Sequence, residues 1–176
     1  NDFYIIIGLT AYGFHTSFRY RWITLSVAFT GSYGNDIFNQ QAAILTDVST
    51  KSANRLKEAV FNCWSPENPD SRYPSLSAFS TNDISWCTDR YVEDGSYLRL
   101  SDVSIVYELP FKKKNRKTPF VKTISLGVSG KNLYVWTGYS GYDPEVNVYG
   151  SVKKYGVDLG SYPPARTYMF DVKISF

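Results

Sequence analysis

Two carboxylates lie two positions apart in the stretch GYDPEVN, at Asp143 and Glu145. Glycoside hydrolysis uses such a pair of acids, one on each side of the scissile bond. Here the acids flank a proline in a turn-rich segment, where Asp and Glu commonly cap a turn or hold a loop. No feature of the surrounding sequence would activate them for catalysis, so we expect no catalytic role for them and no enzymatic activity.

Aromatic side chains are the more informative group, because they make up 17% of the chain. An aromatic face offers apolar area with a polar handle and stacks well on sugar rings. Many of these residues lie in two long stretches rich in Gly, Asn and Ser, and we expect most of them to pack these stretches together and against a partner protein. The candidates for contact with a substrate or partner are Trp64, Tyr73, Trp86, Tyr139, Tyr142 and Tyr149.

Residues typical of metal or redox sites are few. His15 is the single histidine and lacks companions for metal binding or a catalytic triad. The spacing of Cys63 and Cys87 matches no zinc or redox motif, and the two thiols either form a disulfide in an oxidising compartment or stay free. We therefore predict that the chain needs neither a metal nor another cofactor.

A basic run occupies FKKKNRKTPF, but 19 basic against 16 acidic residues give a net charge of only +3. That excess is too small to indicate nucleic acid as a partner. We interpret the run as a solvated connection between two strands. The sequence contains no run of about 18 apolar residues, so we predict no transmembrane helix.

Strict alternation of apolar and polar residues predicts strands in several segments. FHTSFRYR (14–21) and WITLSVAFT (22–30) alternate on either side of the junction of Arg21 and Trp22, which predicts a tight antiparallel hairpin. The closing segment RTYMFDVKISF alternates equally strictly. One face of each of these strands is thus apolar and the other mostly polar.

Two further strands show a shift of phase. SYLRLSDVSIVYELP changes phase near Ser101 and Asp102, and KTISLGVSGKNLYVW does so beyond Gly130, so we predict a β-bulge in each. The apolar positions before and after the second shift are Ile124, Leu126, Val128, Leu133 and Val135. Long stretches without alternation, about 31–95 and 137–164, separate the strands; in the first, Ser52 is predicted to cap a short helix through NRLKEAVFNCW.

About five strands, several near the 9 to 11 residues that cross a bilayer, are joined by alternately short and long connections. This pattern favours an antiparallel transmembrane barrel with long outer loops, short inner turns and polar residues toward the lumen. The candidates for lumen-facing residues are Arg19, Arg21, Thr24 and Ser26. The alternative is a soluble or surface-attached all-β carbohydrate-binding module, which the same alternation and Tyr/Trp content allow.

Four segments in a fixed order resemble one family. SFRYRWITLSVAFTGSYGNDIFN, DRYVEDGSYLRLSDVSIVYELP, NLYVWTGYSGYDPEVN and GSYPPARTYMFDVKISF together look like the C-terminal part of SusC/RagA-type TonB-dependent outer-membrane transporters. The resemblance spans nearly the whole chain. It implies that residues 1–176 are the last strands of a barrel of roughly 22 strands, whose plug and remaining strands lie outside this sequence.

The resemblance further implies an importer in the outer membrane of a Gram-negative bacterium. It implies uptake of glycan oligomers or peptides together with a SusD-like surface lipoprotein, with TonB acting through segments absent here. The terminal strand would face lipid and carry a signal for barrel assembly. The residues implied in that signal are Tyr168, Phe170, Val172, Ile174 and Phe176.

Overall fold

The computed structural model describes residues 10–46, 54–76, 88–109, 123–146 and 156–175. These residues form two compact units, which we call the sheet unit and the loop unit. In chain order the elements are β1 (Thr10–Tyr20), β2 (Ile23–Tyr33), β3 (Asp36–Asn39), α1 (Gln40–Thr46), α2 (Lys57–Phe61), a single 3-10 turn (Asp89–Tyr91), β4 (Val92–Asp94), β5 (Tyr97–Glu108), β6 (Thr123–Thr137), β7 (Val157–Asp158) and β8 (Thr167–Ser175).

The sheet unit is a five-stranded sheet in the order β1-β2-β5-β6-β8, with every neighbouring pair antiparallel. The predicted hairpin is confirmed: β1 and β2 are joined by Arg21 and Trp22, and Arg21 has the left-handed φ of 52°. Ser32, Tyr97 and Thr137 are paired at the opposite end of the sheet, where both long connections leave it. The five predicted strands are therefore present, and the sheet is open at β1 and β8.

The predicted interruption of β5 and β6 is also confirmed, but its effect on β6 differs from our expectation. The register shifts between Leu100 and Asp102 of β5. Two residues of β6, Asn132 with φ 53° and Leu133, lie between its paired positions at this point. Because two extra residues preserve the even phase, the apolar side of the sheet here carries Tyr134 and Trp136. The expected Leu133 and Val135 do not lie on it: Leu133 is unpaired and Val135 is paired with Arg99 on the other face.

The loop unit comes from the two long connections and contains a three-stranded sheet in the order β4-β3-β7. β3 pairs with β4 in antiparallel fashion and with β7 in parallel. Among its described residues, Ile37, Tyr139 and Val146 form a small buried apolar cluster. Because the strands are short and the apolar cluster is small, side-chain hydrogen bonds contribute much of the stabilisation of this unit.

Helix α2 is shorter than predicted. It begins at Lys57 after Leu56, whose extended backbone donates its N–H to the carbonyl of Leu45 at 3.0 Å. Ser52 lies outside the described residues and is not the N-cap of this helix, because Leu56 holds that position. Helix α1 was not predicted. Within the described ranges, no helix is long and apolar enough to cross a membrane.

Candidate functional site

The first candidate site is the apolar face of the sheet unit, a surface shared by all five strands. Its middle row follows the pairing register across the whole sheet and consists of Phe18, Leu25, Ile105, Val128 and Phe170. The exposed fractions of these side chains range from 37% to 69%. A continuous exposed apolar face of this extent is unusual for a soluble monomer and marks a contact surface.

Aromatic side chains lie at both ends of the apolar face. Tyr20, Trp22 and Tyr107 lie at the end with the hairpin turn, and all three are exposed. Tyr134 and Trp136 lie toward the other end, with ring centroids 4.7 Å apart. Aromatic rings at the two edges of an apolar band are typical of strands that cross a bilayer, because amphipathic rings suit the interface.

Close packing fixes a further aromatic ring, that of Tyr12, to the sheet. The hydroxyl of Tyr12 donates to the carbonyl of Tyr97 at 3.1 Å. The Tyr12 ring covers Gly31 so closely that a Cβ atom there would lie 2.5 Å from it. Glycine is thus required at Gly31.

The opposite, polar face carries three of the four predicted lumen-facing residues. Arg19 is paired with Thr24, and its guanidinium forms an ion pair with Glu108 at 2.6 Å. Ser26 donates its hydroxyl to that of Ser17 at 3.2 Å. The fourth residue, Arg21, lies in the hairpin turn, with its guanidinium 5.4 Å from the centroid of the Tyr20 ring.

The terminal strand β8 contributes to the apolar face. Tyr168, Phe170, Val172 and Ile174 alternate along it, and all four are exposed. The last residue of the predicted assembly signal, Phe176, lies outside the described residues. The described part of the strand matches the alternation that the sequence predicts.

The second candidate site is a polar cluster in the loop unit, centred on the carboxylate of Glu93. One oxygen accepts from the side chains of Asn39 at 3.0 Å and Ser140 at 2.8 Å, and the other accepts from the backbone N–H of Ser140 at 2.9 Å. Asn39 also begins helix α1, since its Oδ1 accepts the N–H of Ala42 at 2.9 Å. Glu93 thereby joins segments from both long connections.

A buried pair lies in the same unit. The hydroxyl of Tyr139, which is only 6% exposed, donates to Oδ2 of Asp158 at 2.6 Å. Burial, the hydrogen bond to Asp158 and the negative charge of that carboxylate raise the pKa of Tyr139 far above its ordinary value. The other oxygen of Asp158 accepts from the N–H groups of Gly160 and Ser161 at 2.8 and 3.1 Å.

The predicted aromatic candidates therefore have different environments. Tyr139 packs inside the loop unit, whereas Tyr142 is 78% exposed and Trp64 is also exposed. Tyr73 is half-buried, and burial together with the nearby Glu58 carboxylate raises its pKa. Trp86 and Tyr149 lie outside the described residues.

A cavity of about 320 Å³ opens beside helix α1 in the loop unit. Tyr142 is one of its lining residues, and Leu45 and Leu56 supply apolar lining. The full lining is Asn39, Gln41, Ala42, Leu45, Leu56, Ser140, Gly141, Tyr142, Asp158 and Gly160. We call it the α1 cavity.

The predicted turn role of Asp143 agrees with the structure. Asp143 is buried, and its Oδ1 accepts the N–H of Glu145 at 2.8 Å, as in an Asx turn. Cys63 forms no disulfide within the described part of the chain, and Cys87 and the basic run lie outside it. No three His, Cys, Asp or Glu side chains among the described residues come close enough to hold a metal ion.

Sequence reasoning did not single out Glu93, Asp158 or Gln41. Each lies in a stretch without periodicity, so no pattern marks it. One available signal was Asn39, because Asn before QQAAILT is a favourable N-cap and predicts helix α1. That helix would in turn have drawn attention to Gln41.

The sequence is similar to those of known receptors. TonB-dependent receptor P3 of Formosa agariphila is 34% identical over 169 residues, which is 93% of this chain and 16% of the receptor. The chain is homologous to a C-terminal part of TonB-dependent receptors. The receptor P26 of the same bacterium is 29% identical over 94% of this chain and 17% of its own length. No family model matches the sequence.

The fold of this chain agrees with that of solved structures. The structure of the RagAB peptide transporter matches it with a TM-score of 0.74 at 22% identity, over 93% of this chain and 17% of the other. The RagAB peptide importer in its "open-open" state matches with a TM-score of 0.75 over 97% and 18%. The chain thus spans less than a fifth of the length of the proteins it matches. Its strands form the same arrangement as part of these structures.

Proposed function

We propose that residues 1–176 form the last strands of the barrel of a SusC/RagA-type TonB-dependent receptor. The receptor lies in the outer membrane of a Gram-negative bacterium and imports a nutrient, and it is not an enzyme. The plug, the remaining strands and the contact with TonB are supplied by other parts of the protein. Homology to TonB-dependent receptors supports this proposal.

The apolar face carries the proposal. Five adjacent strands expose one apolar side chain each in the row that includes Leu25, Ile105 and Val128. Leaving such a row in water is costly, since burying one of these side chains contributes about 1.5–3 kcal/mol. Contact with lipid removes that cost, and the aromatic ends of the face then lie at the two membrane interfaces.

A barrel also explains the two open edges of the sheet. An unpaired strand edge is not tolerated in lipid, because its backbone N–H and C=O groups have no water to bond. We therefore expect β1 and β8 to pair with strands from the rest of the receptor. A soluble carbohydrate-binding module, the alternative allowed by the sequence, would have to bury the apolar face against a second layer of its own.

The polar face and the loop unit then divide the work of transport. Arg19, Thr24 and Ser26 line the lumen beside the plug, and the loop unit faces the medium. There the loop unit contacts a SusD-like lipoprotein and the substrate, a glycan oligomer or a peptide. The similar fold of RagAB, a peptide transporter, supports peptides as one of these substrate classes.

Membrane fractionation followed by gentle purification tests this proposal. The receptor that contains this chain should be recovered from the outer membrane and should copurify with a surface lipoprotein in mild detergent. Uptake of its nutrient should stop when TonB is deleted. Recovery from the soluble fraction would overturn the barrel assignment, and uptake that persists without TonB would overturn the energised mechanism.

Removal of Phe176 should impair assembly into the outer membrane much more than Tyr142→Ala does. The reason is that the resemblance to the family places Phe176 in the assembly signal, whereas Tyr142 is an exposed residue of the loop unit. Surface labelling of the intact receptor measures both levels. Equal and normal surface levels for the two variants would contradict the role of the terminal strand.

A further inference from the structure

The α1 cavity is lined by both polar and apolar residues, and the apolar residues offer the surface on which a ligand can pack. Its apolar lining includes Ala42, Leu45 and Leu56, all at least partly accessible. The exposed side chain of Tyr142 also lines it. A volume of about 320 Å³ is at the lower end of the range for small-ligand sites, and suits one or two small groups.

Most polar groups around the cavity already have hydrogen-bond partners. Both oxygens of Asp158 accept hydrogen bonds from within the loop unit, and the side chains of Asn39 and Ser140 bond to Glu93. A ligand with many hydroxyl groups, such as a sugar ring, would therefore find few unused partners here. Displacing these internal bonds would leave buried polar groups unpaired, which is unfavourable.

Gln41 is the exception among these polar side chains. Its amide lines the cavity and makes no side-chain hydrogen bond to any described residue. An amide offers donors and an acceptor in one plane, which matches the N–H and C=O of a peptide group. Gly160 has φ +85° and leaves Gln41 room, since a Cβ atom there would lie 3.1 Å from the Gln41 side-chain oxygen.

We propose that the α1 cavity binds an apolar side chain of a peptide. The side chain lies on Ala42, Leu45 and Leu56 against the ring of Tyr142, and the amide of Gln41 bonds to the adjoining peptide group. This inference rests on the proposed function, because the loop unit must face the medium for a peptide to reach it. It adds a subsite and a preference for peptides over sugars.

Calorimetry on the full-length receptor, purified in mild detergent, tests the cavity directly. The probes are the tripeptides Ala-Leu-Ala and Ala-Ser-Ala and the disaccharide cellobiose. Ala-Leu-Ala should bind more tightly than the other two probes. Tyr142→Ala and Gln41→Ala should each weaken its binding about fivefold, the effect of losing one modest contact, and Ala42→Leu should abolish binding by filling the cavity.

Tyr162→Ala is the matched control, because Tyr162 is 93% exposed in the loop unit and does not line the cavity. It should leave the affinity for Ala-Leu-Ala unchanged. The inference is overturned if Ala-Leu-Ala does not bind, if the cavity variants bind it as the wild type does, or if cellobiose binds more tightly and loses affinity with Tyr142→Ala. Fractionation and the TonB deletion test the barrel on the wild-type receptor. Failure of the cavity is therefore distinguishable from failure of the barrel.

Discussion

The sheet unit and the loop unit differ in where their apolar side chains lie and in which interactions hold them together. In the sheet unit the large apolar residues, such as Phe18 and Phe170, point outward, and the strands are held by regular backbone pairing. Among the described residues of the loop unit, the buried apolar side chains are few, with Ile37 at the centre of the main cluster, and the carboxylates of Glu93 and Asp158 bond to residues of other segments. The difference is what the proposed barrel requires, because lipid tolerates an apolar exterior, whereas a loop region in water relies on satisfied polar groups.

The strongest test of this comparison places a charge on the apolar face. Val128→Arg should destabilise the full receptor by about 2–4 kcal/mol, the cost of Arg near the middle of a bilayer. Urea unfolding of receptor folded into lipid vesicles measures the change. The adjacent Ser129→Arg, which places the same charge on the polar face, is the control and should cost much less. Equal losses for both variants would remove the distinction between the two faces.

The corresponding test of the loop unit removes one hydroxyl. Tyr139→Phe deletes the donor to Asp158 at 2.6 Å and leaves a buried carboxylate oxygen without that partner. We expect the free energy of local opening to fall by about 1–3 kcal/mol. Hydrogen exchange of the loop-unit amides in the intact receptor measures it. Tyr142→Phe removes an exposed hydroxyl and should change almost nothing; a similar effect of both variants would contradict the buried pair.

The same pair predicts a pH dependence confined to the loop unit. The folded pKa of Tyr139 is raised above the ordinary value of 10.0, so its contribution to stability is fully present below pH 10. Above that pH the opened form loses its proton first, and stability should fall by about 1.4 kcal/mol per pH unit until the folded pKa is reached. Protease sensitivity of the loops is measured against pH for the wild type and for Tyr139→Phe. The difference between the two profiles gives the contribution of Tyr139 to the pH dependence. Parallel pH profiles would show that Tyr139 does not contribute.

The smallest effect is expected for the ion pair of the polar face. Arg19 and Glu108 are 61% and 41% exposed, so solvent screens their attraction. A double-mutant cycle with Arg19→Ala and Glu108→Ala should give a coupling energy below about 1 kcal/mol. Urea unfolding of the four receptor forms measures it. A much larger coupling would mean that the plug or another part of the receptor buries this pair.

The sheet unit was largely predictable because its information is local and periodic. Alternation identified the strands, the short junction at Arg21 identified the hairpin, and the phase shift at Ser101 identified the bulge. The apolar residues of β6 beyond Gly130 were not predicted correctly. The two extra residues at this point, one of them with a left-handed backbone, are not visible as a change in alternation.

The loop unit was mostly not predictable, since its strands are short and their partners are far along the chain. β7 consists of Val157 and Asp158 only, and nothing in these two residues indicates parallel pairing with β3. The role of Tyr139 depends on burial that only the folded unit creates. The candidate Tyr142 was found from its residue type, whereas the cavity beside it required helix α1.

The Glu93 cluster has a consequence for the order of folding. Asn39 and Ser140, which it joins, are 101 residues apart in the chain, whereas the β1–β2 hairpin closes over two residues. Closing a long loop costs more entropy and delays contact formation, so the hairpin can form early and the cluster only after both connections are in place. The region proposed to meet partner and ligand is therefore the last to acquire its structure.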